Sequence, residues 1–269
     1  MLLYGKPVAE SIISRLGKVA GLNLAIVQVG NNPESSIYVN KKIKMAESIG
    51  ASVRHILLPQ GCAQDELLRV VTGLGSDSSV NGVIVQFPLP PQMDTDAITH
   101  AINPLKDVDG FHPDNVGRLF SGRPRFIPAT PKGILHLLKH YQIPISGKNA
   151  VIIGRSNLVG KPLSALLLNE NATVTICHSK TKNLSEHTLR ADILVSATGS
   201  PNLVTADMVK DGAAVIDVGI NRVDGKVMGD CDFEGISKKA SISPVPGGVG
   251  PITVATLMEN LVYAAKLRG

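Results

Sequence analysis

The feature that most constrains the fold is an alternation of short apolar runs with segments of helical character. In the first half, the runs Leu22–Val29, Val53–Leu58 and Val83–Gln86 are mostly apolar and are followed by a glycine, a proline or a proline-rich segment. Runs of this length predict strands, and the first of them is typical of a strand covered on both faces. Because parallel strands need a crossover connection, the repeated strand–helix unit predicts an α/β protein with a parallel sheet. The predicted helices are a Tyr38 helix capped by Ser35 or Ser36 and stopped at Gly50, then Asp65–Val71 and Asp94–Ile102.

The second half repeats this pattern and adds a small hairpin around Asp224-Gly225. The segment 117–131 is rich in glycine, proline and arginine, and it is interpreted as the linker between the halves. A helix is predicted from a Thr130 cap to about Tyr141, and a final helix is predicted to be capped by Thr253. The predicted strands of this half are Asn149–Ile153, Thr173–Cys177, Ala214–Val218 and the start of the strand-to-loop transition Ile193–Gly199.

The composition limits the class of protein. The chain has 269 residues, of which 43% are hydrophobic, and a net charge of +5 that is dispersed along the sequence. Dispersed charge does not form a nucleic-acid patch, so we expect an anionic small molecule and no nucleic acid. The three cysteines, Cys62, Cys177 and Cys231, are far apart and have no metal-ligand spacing, so we expect reduced thiols and no metal. Neither a leader nor an apolar run of membrane-spanning length is found, so we expect no membrane association and a cytoplasmic protein.

Tyr38 and Lys42 are the first candidate site residues, since residues four apart share one face of a helix. An aromatic ring can stack on a flat substrate while an amine one turn further reaches the reacting atom. Burial can push a lysine toward neutrality, which suits acid–base catalysis near pH 7. The alternative is a solvated basic helix with one tyrosine packed on its sheet.

Gln86 stands where the third predicted strand ends, ahead of the proline-rich segment 87–91. Ligands of open α/β sheets bind beyond the carboxyl ends of the strands, so the Tyr38 helix and Gln86 should converge on one cleft. The Gln86 amide either binds a carbonyl or ring nitrogen, or satisfies the loop backbone.

Asp107 and Asp109 precede Gly110, an arrangement that also suits an ordinary turn. In the functional interpretation, one of the two carboxylates accepts hydrogen bonds from the guanidine-like edge of a heterocycle. His112 precedes a proline in an extended segment, so we expect a structural role for it.

The segment from Gly154 to Pro162 joins a predicted strand to an apolar helical run. Unpaired amides and the helix dipole make such a turn a phosphate-binding site, although the spacing matches the common dinucleotide motif only in part. An acidic residue that holds the ribose of NAD is expected about 20 residues beyond the glycine turn. Ser179 stands there instead. Because Arg155, Ser179 and Lys180 can hold a 2′-phosphate, we expect NADP in preference to NAD.

The loop Pro244–Thr253 contains three prolines and three glycines before the final helix. Such a loop lets the backbone approach a ligand closely, so we expect it to form part of a site.

With these residues assembled, the chain resembles the bifunctional methylenetetrahydrofolate dehydrogenase/cyclohydrolase family along nearly its whole length. The resemblance implies two α/β domains that flank a cleft, the second Rossmann-like and NADP-binding. It also implies a homodimer, a folate-binding catalytic domain at 1–128 plus 252–269, and an NADP-binding domain at 129–251. The stretches that carry it occur in family order and are Tyr38–Lys42, Val85–Pro90, Lys106–Gly110, Gly154–Ser156 with Val159-Gly160, and Pro244–Thr253.

The resemblance also implies roles for individual residues. Tyr38 would stack on the folate, Lys42 would be the acid–base residue, Gln86 would orient Lys42, and Asp109 would grip the pterin edge. Gly247 and Gly248 would lie along the folate, and the implied substrate-binding set also contains Val85, Phe87 and Pro246. The implied cofactor-binding residues are Gly154, Arg155, Ser156, Ser179 and Ile220.

The implied activity is oxidation of 5,10-methylenetetrahydrofolate with NADP, followed by hydrolysis to 10-formyltetrahydrofolate. Two alternatives stay open from the sequence. One is an NADP-dependent dehydrogenase of a small hydroxy or amino acid, and the other is a non-catalytic NADP-binding protein. Neither explains a Tyr38–Lys42 pair beside Gln86 and Asp109.

Overall fold

The computed structural model describes residues 1–267, the side chain of Glu34 aside, and it shows a mixed α/β fold with parallel sheets, as predicted. A short 3-10 helix covers Ala206–Met208. The elements follow the chain in the order α1 (Gly5–Leu16), β1 (Asn23–Val29), α2 (Pro33–Ser48), β2 (Ser52–Leu58), α3 (Gln64–Ser76), β3 (Gly82–Val85), α4 (Thr95–Ala101), α5 (Pro113–Phe120), α6 (Ala129–His140), β4 (Asn149–Ile153), α7 (Gly160–Asn169), β5 (Thr173–Cys177), α8 (Leu184–Thr188), β6 (Ile193–Ser196), β7 (Ala214–Asp217), β8 (Asn221–Val223), β9 (Lys226–Met228), α9 (Phe233–Ser237), β10 (Ser241–Ile242) and α10 (Val249–Lys266).

The chain forms two compact units. The three-stranded unit contains Ile12–Ala129 and Val254–Gly269, and the five-stranded unit contains Met1–Ser11 and Thr130–Thr253. Residues 1–11 lie with the five-stranded unit because the Leu3 amide donates to the Ile242 carbonyl at 2.9 Å. The predicted division assigns these residues to the folate-binding domain, and as a division of function it stays a prediction.

In the three-stranded unit, the parallel strands lie in the order β2–β1–β3. One face of β1, which includes Ile26, belongs to a core with Phe126 and Met258. The other face, which includes Val27, belongs to a second core with Leu67. Coverage on both faces is the physical reason why the sequence of β1 is mostly apolar.

The order of these strands also places a ligand site. The chain leaves β1 through α2 toward β2, and it returns through β3 on the opposite side of β1. Such a switch point is where open α/β sheets bind their ligands. Beyond β3, the sheet is extended by a bridge between Asp107 and Val83, whose amide donates to the Lys106 carbonyl at 2.7 Å.

In the five-stranded unit, the parallel strands lie in the order β10–β7–β6–β4–β5. The hairpin predicted around Asp224-Gly225 is confirmed as the antiparallel pair β8–β9. The strands β4 and β5 have the predicted bounds, and the switch point lies between β4 and β6. The core of this unit includes Val151, Leu194 and Val215.

The predicted start of α2 is wrong. The helix begins at Pro33, so neither Ser35 nor Ser36 is its cap. The Asn32 side chain accepts the Ser35 amide at 3.2 Å, and Pro33 takes the first helical position, where its missing N–H costs nothing. The predicted stop is sound, since Gly50 follows the helix with a φ of 87°.

The predicted caps of the two later helices are also wrong. The helix α6 begins at Ala129 and α10 begins at Val249, so Thr130 and Thr253 both lie inside helices. Their hydroxyl oxygens are 3.2 Å apart, so these side chains bond to each other instead of capping.

The predicted linker 117–131 is shorter than expected, because α5 extends to Phe120. The His112 ring nitrogen accepts the Asp114 amide at 3.1 Å, and this cap starts the helix at Pro113. The structural role expected for His112 is therefore confirmed.

Candidate active site

Lys42 lies on α2, one turn after Tyr38, close to the carboxyl end of β1. Its amine donates to the Gln86 side-chain oxygen at 3.2 Å and lies 3.7 Å from a carboxylate oxygen of Asp109. The Lys42 and Asp109 side chains are each 12% exposed. The two segments predicted to converge therefore do so, and they place an amine between an amide and a carboxylate in a largely dry setting.

Gln86 follows β3 directly, and both ends of its amide are used. The nitrogen donates to the Phe87 carbonyl at 2.6 Å, which leaves the oxygen facing Lys42. The alternative in which the amide satisfies the loop backbone is therefore confirmed, and the amide also contacts a charged neighbour; binding of a carbonyl or ring nitrogen stays a prediction. The Val85 side chain is 2% exposed and belongs to the core behind the strand.

Asp107 and Asp109 are used differently. The Asp107 carboxylate is 1% exposed and accepts the amides of Gly110 at 3.1 Å and His112 at 2.8 Å. Burial raises the pKa of Asp107, against the opposing effect of its hydrogen bonds from Asn115 and His112. Asp107 is therefore a structural carboxylate, and Asp109 is the one presented to Lys42.

Two aromatic groups lie in the same unit as Lys42. The amine of Lys41 lies over the partly exposed Tyr38 ring, 5.5 Å from its centroid, as in a cation–π contact. The rings of Phe87 and Phe111 meet edge to face with their centroids 6.1 Å apart. These rings provide flat apolar surface of the kind that a planar heterocycle needs.

The sequence reasoning missed a buried polar group beneath the start of α2. Gln28 is 2% exposed, donates to the Gly30 carbonyl at 3.0 Å and to the Ser36 hydroxyl at 3.1 Å, and lies 3.1 Å from the His55 ring nitrogen. It fixes the first turn of the helix that carries Tyr38. A glutamine in an otherwise apolar run was the available signal.

In the five-stranded unit, the glycine turn after β4 is tightly constrained. Gly154 has a φ of 118°, and a Cβ there would lie 2.4 Å from the Ala197 carbonyl oxygen. A Cβ on Gly160, the first residue of α7, would lie 2.0 Å from the Gly154 carbonyl oxygen. Only glycine fits at either position, and the turn leads into the helix N-terminus as phosphate binding requires.

The polar residues predicted for the cofactor surround this turn. Arg155 and Ser156 are exposed, and the Ser156 hydroxyl accepts the Val159 amide at 3.1 Å. Ser179 follows β5 and is exposed, as is Ile220, which follows β7 and is 52% exposed. All of these residues lie beyond the carboxyl ends of parallel strands.

A second network missed by the sequence reasoning lies under the loops after β6 and β7. The buried carboxylate of Asp230 accepts hydrogen bonds from the Thr198 backbone amide at 2.7 Å, the Ser196 hydroxyl at 3.0 Å and the Asn221 side-chain amide at 3.0 Å. Burial opposes ionisation, but these hydrogen bonds outweigh it and hold the pKa of Asp230 below its usual value. No local sequence pattern marks this residue, because its partners are distant in the chain.

The loop before α10 lies within the five-stranded unit. Gly247 has a φ of 110°, and its carbonyl accepts the Gly5 amide at 2.8 Å. A Cβ on Gly248 would lie 2.6 Å from the Pro244 carbonyl oxygen, and Pro246 is exposed. The loop packs closely on its own backbone, and its expected approach to a ligand stays a prediction.

Among residues 1–267, no group of histidine, cysteine and acidic side chains could hold a metal ion. In the same described part of the chain, no helix has both the length and the apolar character needed to cross a membrane.

A parallel-sheet unit with a glycine turn at its switch point, in one chain with a unit that carries a partly buried lysine and glutamine beside a buried aspartate, is typical of a nucleotide-dependent α/β enzyme. Residues 3–109 match the protein family described as "Tetrahydrofolate dehydrogenase/cyclohydrolase, catalytic domain". Residues 128–269 match the family described as "Tetrahydrofolate dehydrogenase/cyclohydrolase, NAD(P)-binding domain". The chain therefore belongs to the tetrahydrofolate dehydrogenase/cyclohydrolase family.

Individual proteins agree with this assignment. The chain is 52% identical over 281 residues to the bifunctional protein FolD of a Sulfurihydrogenibium species, with 99% of each chain covered. The solved structure of the bifunctional FolD methylenetetrahydrofolate dehydrogenase/cyclohydrolase from Campylobacter jejuni is 47% identical to this chain, with a TM-score of 0.96. The alignment covers 100% of this chain and 99% of the Campylobacter jejuni chain. The structure of FolD from Trypanosoma brucei, complexed with NADP cofactor and inhibitor, is 35% identical to this chain, with a TM-score of 0.94. The alignment covers 99% of this chain and 97% of the Trypanosoma brucei chain.

Proposed function

We propose that this chain oxidises 5,10-methylenetetrahydrofolate with NADP to the 5,10-methenyl cation and then hydrolyses that cation to 10-formyltetrahydrofolate. The observation that carries the proposal is the contact of the Lys42 amine with Gln86 and Asp109 at the switch point of the three-stranded unit. In a chain of this family, that arrangement places a proton-carrying group where a folate would bind.

NADP supplies the chemistry of the first reaction by accepting the hydride. The residues present fit it, because Gly154 and Gly160 leave no room for a side chain and therefore keep the turn open to a pyrophosphate. Arg155 and Ser179 would hold the 2′-phosphate, and Ser156 and Ile220 would line the rest of the cofactor.

In the first reaction, the three-stranded unit mainly binds and orients the folate. Tyr38 would stack on the flat part of the substrate, and Asp109 would accept hydrogen bonds from the pterin edge. Val85 and Phe87 would contribute through the backbone and ring at the end of β3. The roles expected of Pro246, Gly247 and Gly248 along the folate stay predictions.

In the second reaction, a water oxygen bonds to the methenyl carbon, the carbon–N5 bond breaks, and N5 must gain a proton while the oxygen loses its protons. The net reaction consumes one water and releases one proton. Lys42 is placed to move the proton, since its amine can take it from the attacking water and return it to nitrogen. Gln86 holds the amine through its side-chain oxygen, and Asp109 lies where it can compensate the positive charge that the neutral amine gains when it takes the proton.

We also propose that the chain acts as a homodimer in the cytoplasm, without nucleic-acid or membrane partners. The strand β2 is the edge of its sheet, and most of its residues are exposed or partly exposed. The buried, unpaired cysteines Cys62, Cys177 and Cys231 are compatible with a reducing compartment.

One assay tests the proposed activity. The protein is mixed with 5,10-methylenetetrahydrofolate and NADP, and the absorbance of the reduced nicotinamide is followed with time. We expect reduction that depends on both substrates, together with release of 10-formyltetrahydrofolate. Binding of NADP without any turnover would instead favour a non-catalytic NADP-binding protein. Turnover only with small hydroxy or amino acids would favour an NADP-dependent dehydrogenase of those substrates.

A further inference from the structure

We propose that Asn115 and Arg125 are positioning residues for the folate site. With Asp107 they form a hydrogen-bonded chain that holds the loop carrying Asp109 in place against Lys42. The inference rests on the proposed function for its consequence, which is folate affinity, but the chain of contacts can be tested separately.

The loop that presents Asp109 is held on both sides by a single carboxylate. Asp107 accepts the Gly110 amide at 3.1 Å through one oxygen and the His112 amide at 2.8 Å through the other. Gly110 has a φ of 76°, and a Cβ there would lie 2.9 Å from the Pro128 nitrogen. The backbone around Asp109 therefore has one arrangement, and it depends on where the Asp107 carboxylate is fixed.

Asn115 fixes that carboxylate. It is 0% exposed, and its amide nitrogen donates to Asp107 at 2.8 Å and to the Pro104 carbonyl at 3.0 Å. An asparagine in this position must present its nitrogen, since the reversed amide would set a carbonyl oxygen against a carboxylate.

Arg125 enforces this orientation of the amide. Its guanidinium donates to the Asn115 side-chain oxygen at 3.3 Å and to the Asp114 carboxylate at 2.7 Å. A reversed Asn115 would place an NH₂ group against the guanidinium. The guanidinium of Arg125 is thus connected through one neutral amide to Asp107, whose buried carboxyl group needs hydrogen-bond donors.

The chain offers a matched control at Asp114. Arg118 also donates to this carboxylate, at 3.1 Å, but it lies on the exposed face of α5. Replacing Arg118 and replacing Arg125 each remove one cation from Asp114. Only the replacement of Arg125 also removes the hydrogen-bond donor to the Asn115 side-chain oxygen.

The test compares Arg125→Leu, Arg118→Leu and Asn115→Ala with the unaltered enzyme. For Arg125→Leu and Asn115→Ala, we expect the KM for 5,10-methylenetetrahydrofolate to rise about tenfold, the effect of losing one charge-linked hydrogen bond. We expect the KM for NADP to change less than about twofold, since the cofactor turn belongs to the other unit. Arg118→Leu should leave both values within about twofold of the unaltered enzyme.

Amide hydrogen exchange provides a readout that does not depend on activity. We expect the Gly110 and His112 amides to exchange about tenfold or more faster in Arg125→Leu, and to be unchanged in Arg118→Leu. Equal folate KM values for the two arginine variants, or equal rises in both KM values, would overturn the proposal even if Asn115→Ala fails to fold. An unaltered enzyme that does not turn over folate would refute the proposed function, whereas unchanged exchange in Arg125→Leu would refute the positioning chain.

Discussion

At the scale of single residues, the three-stranded unit separates two tasks that its sequence makes look alike. Asp107 and Asp109 are two residues apart, but Asp107 accepts backbone amides and Asp109 lies 3.7 Å from the Lys42 amine. The difference arises because the chain turns directly after Asp107. The Gly110 amide donates to both the carbonyl and the carboxylate of Asp107 at 3.1 Å, and Gly110 has a φ of 76°. One carboxylate therefore builds the loop, and the other remains available for a substrate.

The first prediction at this scale concerns Lys42. In the variant Lys42→Met, we expect the hydrolysis of 5,10-methenyltetrahydrofolate to slow by roughly 10²–10⁴-fold, the usual contribution of a positioned acid–base group. Methionine keeps most of the volume of the side chain but removes the amine that contacts Gln86. The rate is followed by the loss of the methenyl absorbance, and NADP affinity, measured by fluorescence titration, serves as the control and should not change. Undiminished release of 10-formyltetrahydrofolate would remove Lys42 from the mechanism.

A second prediction concerns the choice of cofactor. In Arg155→Ala, we expect the KM for NADP to rise about tenfold or more, because a charge-assisted contact to a phosphate is lost. The KM for NAD should change less than about twofold, since NAD carries no 2′-phosphate. Arg190→Ala removes the same charge from an exposed position in the same unit, after α8, and should affect neither value. Equal effects of Arg155→Ala on the two cofactors would rule out a 2′-phosphate contact.

The sequence allowed part of this site to be predicted. The approach of Lys42 to Gln86 follows from general topology, because Gln86 directly follows β3 and Lys42 lies on the helix that follows the neighbouring parallel strand β1. The use of Asp109 in place of Asp107 could not be derived in the same way. It depends on Asn115 and on the His112 amide, whose positions follow from a helix that the glycine- and proline-rich sequence does not reveal.

At the scale of secondary-structure elements, strands were predicted better than helix ends. The bounds of β4 and β5 are as predicted, because each is a short run rich in β-branched residues between turns. The helices α1 and α5 were missed, since Gly5-Lys6-Pro7 and Pro113-Asp114 read as turns. Proline is favourable in the first turn of a helix, so the residue that usually breaks helices here begins them.

An element-scale prediction concerns Asp230, which connects the loops after β6 and β7. In Asp230→Asn, we expect the free energy of unfolding near pH 7 to fall by about 2–3 kcal/mol, because an NH₂ group would face the Thr198 and Ser196 donors. The pKa of Asp230 lies below its usual value, so its stabilisation is fully present above the unfolded pKa of about 3.9 and is lost as pH falls through the folded pKa.

Urea unfolding followed by circular dichroism at a series of pH values measures this effect. The stability of the unaltered chain and that of Asp230→Asn should converge as the solution becomes strongly acidic. Asp232→Asn changes a neighbouring carboxylate that caps α9 through the Gly235 amide, and it should cost less than about 0.5 kcal/mol, because asparagine caps a helix about as well as aspartate. A difference between the unaltered chain and Asp230→Asn that is the same at every pH would contradict the ionised state of Asp230.

At the scale of the whole molecule, each unit has one parallel sheet with one switch point, and each switch point carries different chemistry. The glycine turn occupies the switch point of the five-stranded unit, and the Lys42 contacts occupy that of the three-stranded unit. The α/β class could be predicted because it follows from the alternation of strands and helices along the chain. The placement of residues 1–11 could not, since Leu3 bonds to Ile242 and the distance between them in sequence leaves no local pattern.

The proposed homodimer is a prediction at the scale of the whole molecule. The strand β2 is the edge of its sheet, and Leu57 on this strand is 54% exposed, which suits pairing with a second copy. In a two-fold symmetric dimer each substitution counts twice, so Leu57→Lys should weaken association by about 3 kcal/mol, or roughly a hundredfold. Light scattering after size-exclusion chromatography should then show a monomer at concentrations where the unaltered chain is a dimer. Phe120→Lys, at an equally exposed position at the end of α5, is the matched control and should leave the dimer intact. If Leu57→Lys has the same mass as the unaltered chain at every concentration, β2 is not the interface.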